Sequence, residues 1–172
     1  VDFGALVRAE AGEFIQAMEF YSETGLDLAL RHVQGLTWPL ETRSEAYLLV
    51  ELGAGSPRVA LDDIVTGLLE RGMEQDLIID GALAASEAQR AAFWRLREEQ
   101  PEGQRLEGAQ LKHDIGVPPA RIAEFIAEGL ALCRARVPGV RINPFGHLGD
   151  GNIHYNLTPP VGQVGFAGQE AE

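Results

Sequence analysis

A single cysteine, Cys133, stands in a chain of 172 residues, so no intrachain disulfide can form. Its place on the apolar side of a predicted helix makes it a small core residue rather than a reactive thiol. No apolar run approaches the ~20 residues that a membrane-spanning helix needs, and the N-terminus lacks the basic-then-apolar layout of a secretion signal. Cations are scarce: 14 Lys and Arg against 26 Asp and Glu give a net charge of −12, which argues against the basic patch that nucleic-acid binding requires. A Gly-rich dinucleotide fingerprint, a repeat of fixed period and a linker between domains are all missing. The length suits one domain, and 45% hydrophobic content suits an ordinary core. A soluble, cytoplasmic protein is the expectation.

The stretch richest in signal is residues 143–156, Asn-Pro-Phe-Gly-His-Leu-Gly-Asp-Gly-Asn-Ile-His-Tyr-Asn. Asp150-Gly151 is a strong hairpin signal because this pair tolerates the positive φ of a tight turn. A turn centred on that bond sets His147 opposite His154 and Phe145 opposite Asn156. Opposed residues share a face with Cβ atoms about 4.5–5.5 Å apart, which gathers two imidazoles and an amide in one patch. Two neutral imidazoles at that spacing can ligate one divalent ion such as Zn or Mn, weakly if alone. Read singly, either histidine is a half-buried residue bonded to backbone.

Elsewhere the periodicity alternates between helix and strand. Ala11, Phe14, Ile15 and Met18 predict an amphipathic helix reaching about Phe20, with no capped start, as in a piece of a longer chain. A helix from Thr24 to Val33 follows, with His32 at its C-terminal end, where a cation is favourable. Ala46–Leu52 reads as a buried strand. Ser56-Pro57 opens a helix that Gly72 can end, and Asp76 to Ala84 is expected to be a strand. Ser86 and Gln89 have capping-box spacing for a helix ending near Pro101. Arg97, in its last turn, reads on periodicity as an exposed complement to the helix dipole. Residues 109–117 alternate as a strand whose polar side holds Lys112 and Asp114, a solvated face or a surface ion pair of little worth; His113 falls on the apolar side. Pro118-Pro119 starts a helix lasting to about Val137. After Pro159 the composition becomes Gly- and Gln-rich, and residues 159–172 are expected to be a poorly ordered tail. The sum is an α+β fold, an antiparallel sheet with helices on one face, nearest to the ferredoxin-like layout.

His147 to Asn156 closely resembles the signature of the C-terminal substrate (cap) domain of FAD-linked 2-hydroxy acid dehydrogenases and oxidases, the D-lactate, glycolate and D-2-hydroxyglutarate group of the vanillyl-alcohol-oxidase superfamily. The resemblance runs from about residue 10 to residue 158. Phe93-Trp-Arg-Leu-Arg-Glu98 is similar to the segment whose arginine, matching Arg97, binds the substrate carboxylate. Lys112-His-Asp-Ile-Gly-Val-Pro118 resembles the element whose lysine helps to hold it. The resemblance implies His147 and His154 as catalytic residues and metal ligands, Arg97, Lys112 and Asn156 as substrate-binding residues, and Asn152 at the cofactor. The implied reaction oxidises a D-2-hydroxy acid to the 2-oxo acid with hydride transfer to FAD. A divalent metal, Zn or Mn, would polarise the hydroxyl, or an uncoordinated histidine would serve as general base.

The family's N-terminal FAD domain and its acidic Glu-His-Gly element, which would supply a third metal ligand, have no counterpart in residues 1–158. The expectation is therefore a fragment, inactive alone, whose partners are a small 2-hydroxy acid, its own FAD-binding domain and a second copy in a homodimer. Two rivals remain: a stand-alone metal-binding domain that works without flavin, and a non-catalytic subunit that partners an FAD-binding chain.

Overall fold

Residues 2–166 are described by the structure, a computed structural model. In chain order the elements are α1 (Asp2–Ala11), β1 (Ile15–Ser22), α2 (Glu23–His32), β2 (Ala46–Leu52), α3 (Leu61–Glu74), α4 (Glu87–Glu98), α5 (Gln100–Glu107), β3 (Asp114–Gly116), α6 (Ile122–Arg136), β4 (Arg141–His147) and β5 (Asn152–Thr158). The strands form one sheet in the order β2-β1-β4-β5-β3, and every neighbouring pair is antiparallel.

The α+β class and the antiparallel sheet are as the sequence suggests, but helices cover both faces of the sheet. The reason lies in the inner strands, which carry large apolar side chains on both faces. Met18, Ile142, Ile153 and Tyr155 pack beneath α1, α3 and α6 through Val7, Leu68 and Ile122. Tyr21, Tyr47 and Phe145 project from the other face and meet Leu26 of α2 and Leu96 of α4. Each such side chain, fully buried, contributes about 1.5–3 kcal/mol, so neither face of β1 or β4 could be left to water.

Six segments differ from the sequence reading. The predicted first helix stops at Ala11, and Ile15–Ser22 is β1, the central partner of both β2 and β4. Asp76 to Ala84 contains no strand: Asp76 takes a φ of 56°, and Leu77 and Ile78 both donate backbone N–H groups to the Gly72 carbonyl, capping α3. The Asp80 carboxylate then accepts the backbone N–H groups of Glu41 and Thr42 at 2.9 and 2.8 Å, clasping a loop instead of joining the sheet. Gly72 lies within α3, which begins at Leu61 rather than at Ser56-Pro57. Pro101 does not end the helical region but sits in the first turn of a further helix, α5, where its missing N–H costs nothing. Of the strand expected over 109–117, only Asp114–Gly116 forms, preceded by a lone bridge from Leu111 to Leu157. Of the expected loose tail, Phe166 is buried in the core, and residues 167–172 lie outside the described residues.

The hairpin forms with a register two residues away from the expected one. Its loop is Leu148–Gly151, centred on Gly149-Asp150, so His147 pairs with Asn152, Phe145 with His154, and Asn143 with Asn156. Asp150 still builds the turn, its carboxylate accepting the Asn152 N–H at 3.0 Å. Gly151 has a φ of +79°, and a Cβ there would lie 1.8 Å from the Val117 carbonyl oxygen, so only glycine fits. A shift of two keeps every side chain on its face. His147 and His154 are therefore diagonal neighbours, about 7–8 Å apart, instead of directly opposed.

Candidate functional site

Register alone brings the predicted residues together. Glu19 pairs with His147 across β1 and β4, His147 with Asn152 and Phe145 with His154 across β4 and β5, and His154 with Asp114 of β3. Paired residues share a face, so these side chains form one band across four strands. It is the face that α4 overlies, and the last turn of α4 delivers Arg97 to it.

Arg97 is not the exposed arginine that periodicity suggests. Its side chain is only 10% exposed, and its Nε and Nη2 both contact Oε2 of Glu19 at 3.0 Å. Its guanidinium carbon lies 4.8 Å from the centre of the Phe145 ring, a cation–π contact. The other oxygen of Glu19, Oε1, is hydrogen-bonded to Nδ1 of His147, whose side chain is 48% exposed. His154 also lies against Phe145, at 4.8 Å between ring centres, with its Nδ1 bonded to Asp114. The two imidazoles are thus held alike: a carboxylate engages Nδ1 and Nε2 is left for another partner. Carboxylates in this position fix the tautomer and orientation of catalytic and metal-ligating histidines.

The remaining predicted residues fall at the margins. Asn152 is exposed beside His147. Lys112, the chain's single lysine, is exposed two residues before Asp114, and no ion pair engages it among the described residues. Asn156 is buried, and its Nδ2 donates to Oε1 of Gln104 at 2.9 Å, so its amide nitrogen is engaged inside the fold. It belongs to a buried amide group with Asn143, Gln100 and Gln104, in which Asn143 Oδ1 accepts from the Ser22 hydroxyl at 2.6 Å. His113 is exposed, with Nδ1 against the Tyr155 carbonyl at 3.0 Å. Tyr21, which pairs with Phe145, has its phenol pushed up to about 12 by burial and by Tyr47, so it packs as a neutral group.

Glu19 is the member that sequence reasoning missed, because Ile15–Ser22 reads as helix by spacing. The usable cue is an acidic residue inside the apolar run Met18-Glu-Phe-Tyr21, which needs a buried partner wherever that run is interior. A hollow of about 610 Å³ between β2, α3, α4 and the segment 77–86 is lined by Tyr21 but by neither histidine, nor by Glu19, Arg97 or Asp114, and is not the site of the histidines. Among the described residues, no three His, Cys, Asp or Glu side chains are grouped as a metal site. Nor, among those residues, is any helix long and apolar enough to cross a membrane.

Comparison with known proteins shows the family of the chain. Residues 2–164 match the family described as FAD linked oxidases, C-terminal domain. The D-2-hydroxyglutarate dehydrogenase, mitochondrial, of Arabidopsis thaliana is 31% identical over 148 residues, 86% of this chain and 26% of that protein. The D-2-hydroxyglutarate dehydrogenase of Xanthomonas citri pv. viticola is 33% identical over 146 residues, 85% and 30% of the two chains. The mitochondrial enzyme of that name from Danio rerio is 32% identical over 155 residues, 89% and 28%. The chain therefore spans between a quarter and a third of the length of these relatives. The names of the plant and fish proteins also correct the cytoplasmic expectation, since they point to mitochondria; neither composition nor hydropathy carries that information.

Proposed function

The chain belongs to the family of C-terminal domains of FAD linked oxidases, and from this premise we propose that it is the substrate side of a longer flavoprotein dehydrogenase. The reaction is oxidation of a D-2-hydroxy acid to the 2-oxo acid. D-2-hydroxyglutarate is the first candidate, because the relatives are named for it. The observation that carries the reading is the band of Arg97, Glu19, His147, His154 and Asp114 around Phe145.

Each residue has a part that suits its surroundings. Arg97 donates its Nε–H to Glu19, and its other N–H donors can meet a substrate carboxylate. Lys112, exposed and without an ion pair among the described residues, supplies a second cation, as a dicarboxylate requires. Holding the acid between the two aligns its Cα–H bond, which converts binding energy into rate. His147, with Nδ1 on Glu19, presents Nε2 to accept the hydroxyl proton. Loss of that proton lets the α-hydrogen depart with its electron pair, leaving the 2-oxo acid. The flavin, when bound, supplies the hydride acceptor, and Asn152, exposed beside His147, is available to meet it. The two imidazoles stand diagonally with no third donor grouped beside them among the described residues, so a divalent cation would need a further ligand from outside those residues before it could act as a Lewis acid toward the hydroxyl.

The test is anaerobic mixing of the full-length flavoprotein with D- and L-2-hydroxyglutarate, D-lactate and glycolate, following bleaching of the oxidised flavin. Reduction by a D-2-hydroxy acid, fastest with the dicarboxylate, is expected. Oxidised flavin that persists with every acid rejects the proposal.

A further inference from the structure

We infer that Glu19 is a positioning residue, whose one buried carboxylate fixes both the tautomer of His147 and the orientation of Arg97. What those two residues do to a substrate rests on the reading just given, whereas the geometry that links them does not.

Glu19 is 4% exposed. An ionised carboxylate is costly to bury unless it is paired and its oxygens are hydrogen-bonded. Here the oxygens divide the work. Oε2 takes both contacts from Arg97, at 3.0 Å each, and Oε1 takes the contact from His147. An ionised carboxylate only accepts hydrogen bonds, so Nδ1 of His147 must carry the hydrogen. In the neutral imidazole, Nε2 then keeps its lone pair. That lone pair is what a general base or a metal ligand must present.

Two features separate this from an ordinary buried ion pair. First, Glu19 is the strand partner of His147 in the β1–β4 ladder, so backbone hydrogen bonds set their separation. Second, Arg97 is backed by the Phe145 ring, and the same ring lies tilted against His154, 4.8 Å between ring centres. A change at Glu19 therefore reaches both imidazoles and the anion-binding group. Asp114 does the same for His154 alone and from a weaker position, since its side chain is 78% exposed.

Glutamine separates charge and acceptor from shape. It fills the same volume but has one acceptor oxygen, and two donor partners compete for it. Whichever loses faces an NH2 group: either Arg97 is released, or His147 is driven toward the tautomer with a hydrogen on Nε2.

The experiment is single-turnover flavin reduction by Glu19→Gln and wild type in the full-length flavoprotein, with binding of the 2-oxo acid product read from the flavin spectrum. The expected result is a rate per bound flavin lower by about 100-fold, in the range that loss of an oriented proton acceptor brings, with product binding weakened by about 10-fold. A melting temperature or flavin content that falls while the rate per bound flavin stays at the wild-type value overturns the inference, because that is the signature of a structural role. Should the variant not fold, selective 15N-histidine spectra of the wild-type protein decide the matter: His147 protonated on Nδ1 supports the inference, and on Nε2 overturns it. Wild-type protein whose flavin no 2-hydroxy acid reduces rejects the proposed function alone, since the tautomer is read without turnover.

Discussion

Glu107 shows how much of a side chain's behaviour is decided by partners far away in sequence. It lies at the end of α5 and is engaged by His32 at 2.6 Å, by Arg141 and by Arg31 at 3.5 Å, tying α5 to α2 and β4. The hydrogen bond to His32, followed by those of Arg141, lowers its carboxyl from an ordinary 4.5 to about 2. A folded-state value below the unfolded one means that the stabilisation is complete above pH 4.5 and is lost as pH falls toward 2. Wild type should therefore melt higher than Glu107→Gln at neutral pH, and the gap should close across that window while Arg31 and Arg141 stay cationic. Thermal melts against pH check this, and a gap constant across the window contradicts it. The same dependence on partners explains what was legible at the site. Arg97, Lys112, His147, Asn152, His154 and Asn156 can be picked out in the sequence because they sit in recognisable local motifs. The partners of those residues, Glu19 and Gln104, are chosen by sheet register and helix crossing, and of the two only Glu19 leaves a cue, as an acidic residue inside an apolar run.

Secondary structure was readable where local chemistry agrees with the fold and misread where packing overrules it. Ala46–Leu52 and the helix beginning after Ser86 match the sequence reading, and Ser86 accepts the Gln89 N–H as a cap should. β1 was misread because Phe14, Ile15 and Met18 keep helical spacing, while burial on both faces hides the alternation of a strand. The hairpin was legible, but its register was not: two adjacent glycine-bearing bonds, Gly149-Asp150 and Asp150-Gly151, offer turns that differ by two in pairing. The α2–α5 crossing was invisible, since Pro101 can stop a helix or start one. There a Cβ on Gly103 would come within 2.6 Å of the Ala29 backbone, which leaves no rotamer to relieve it. Gly103→Ala should cost about 1–3 kcal/mol, as overpacking does, measured by denaturant unfolding. A cost near zero would mean that the two helices are free to separate.

For the molecule as a whole, the net charge of −12 is compatible with the proposed anionic substrate through local arrangement. Most arginines are committed to surface carboxylates, as in the Arg43 and Arg105 pairs, whereas Arg97 is drawn to the His147 end of the band through Glu19. Two apolar layers, one on each side of the sheet, fix the band of site residues as a single unit. One end of that band is exposed at His147 and Asn152, where a flavin-bearing partner surface would dock. The central claim is thus a division of labour: this chain handles the acid and its proton, and the flavin is held elsewhere in a longer protein. His147→Ala in the full-length flavoprotein tests it most directly, by flavin content and by the rate of anaerobic flavin reduction with D-2-hydroxyglutarate. The account predicts wild-type flavin content with reduction slower by about 100- to 10,000-fold, the range for loss of a positioned acid–base group. Reduction at the wild-type rate would contradict it.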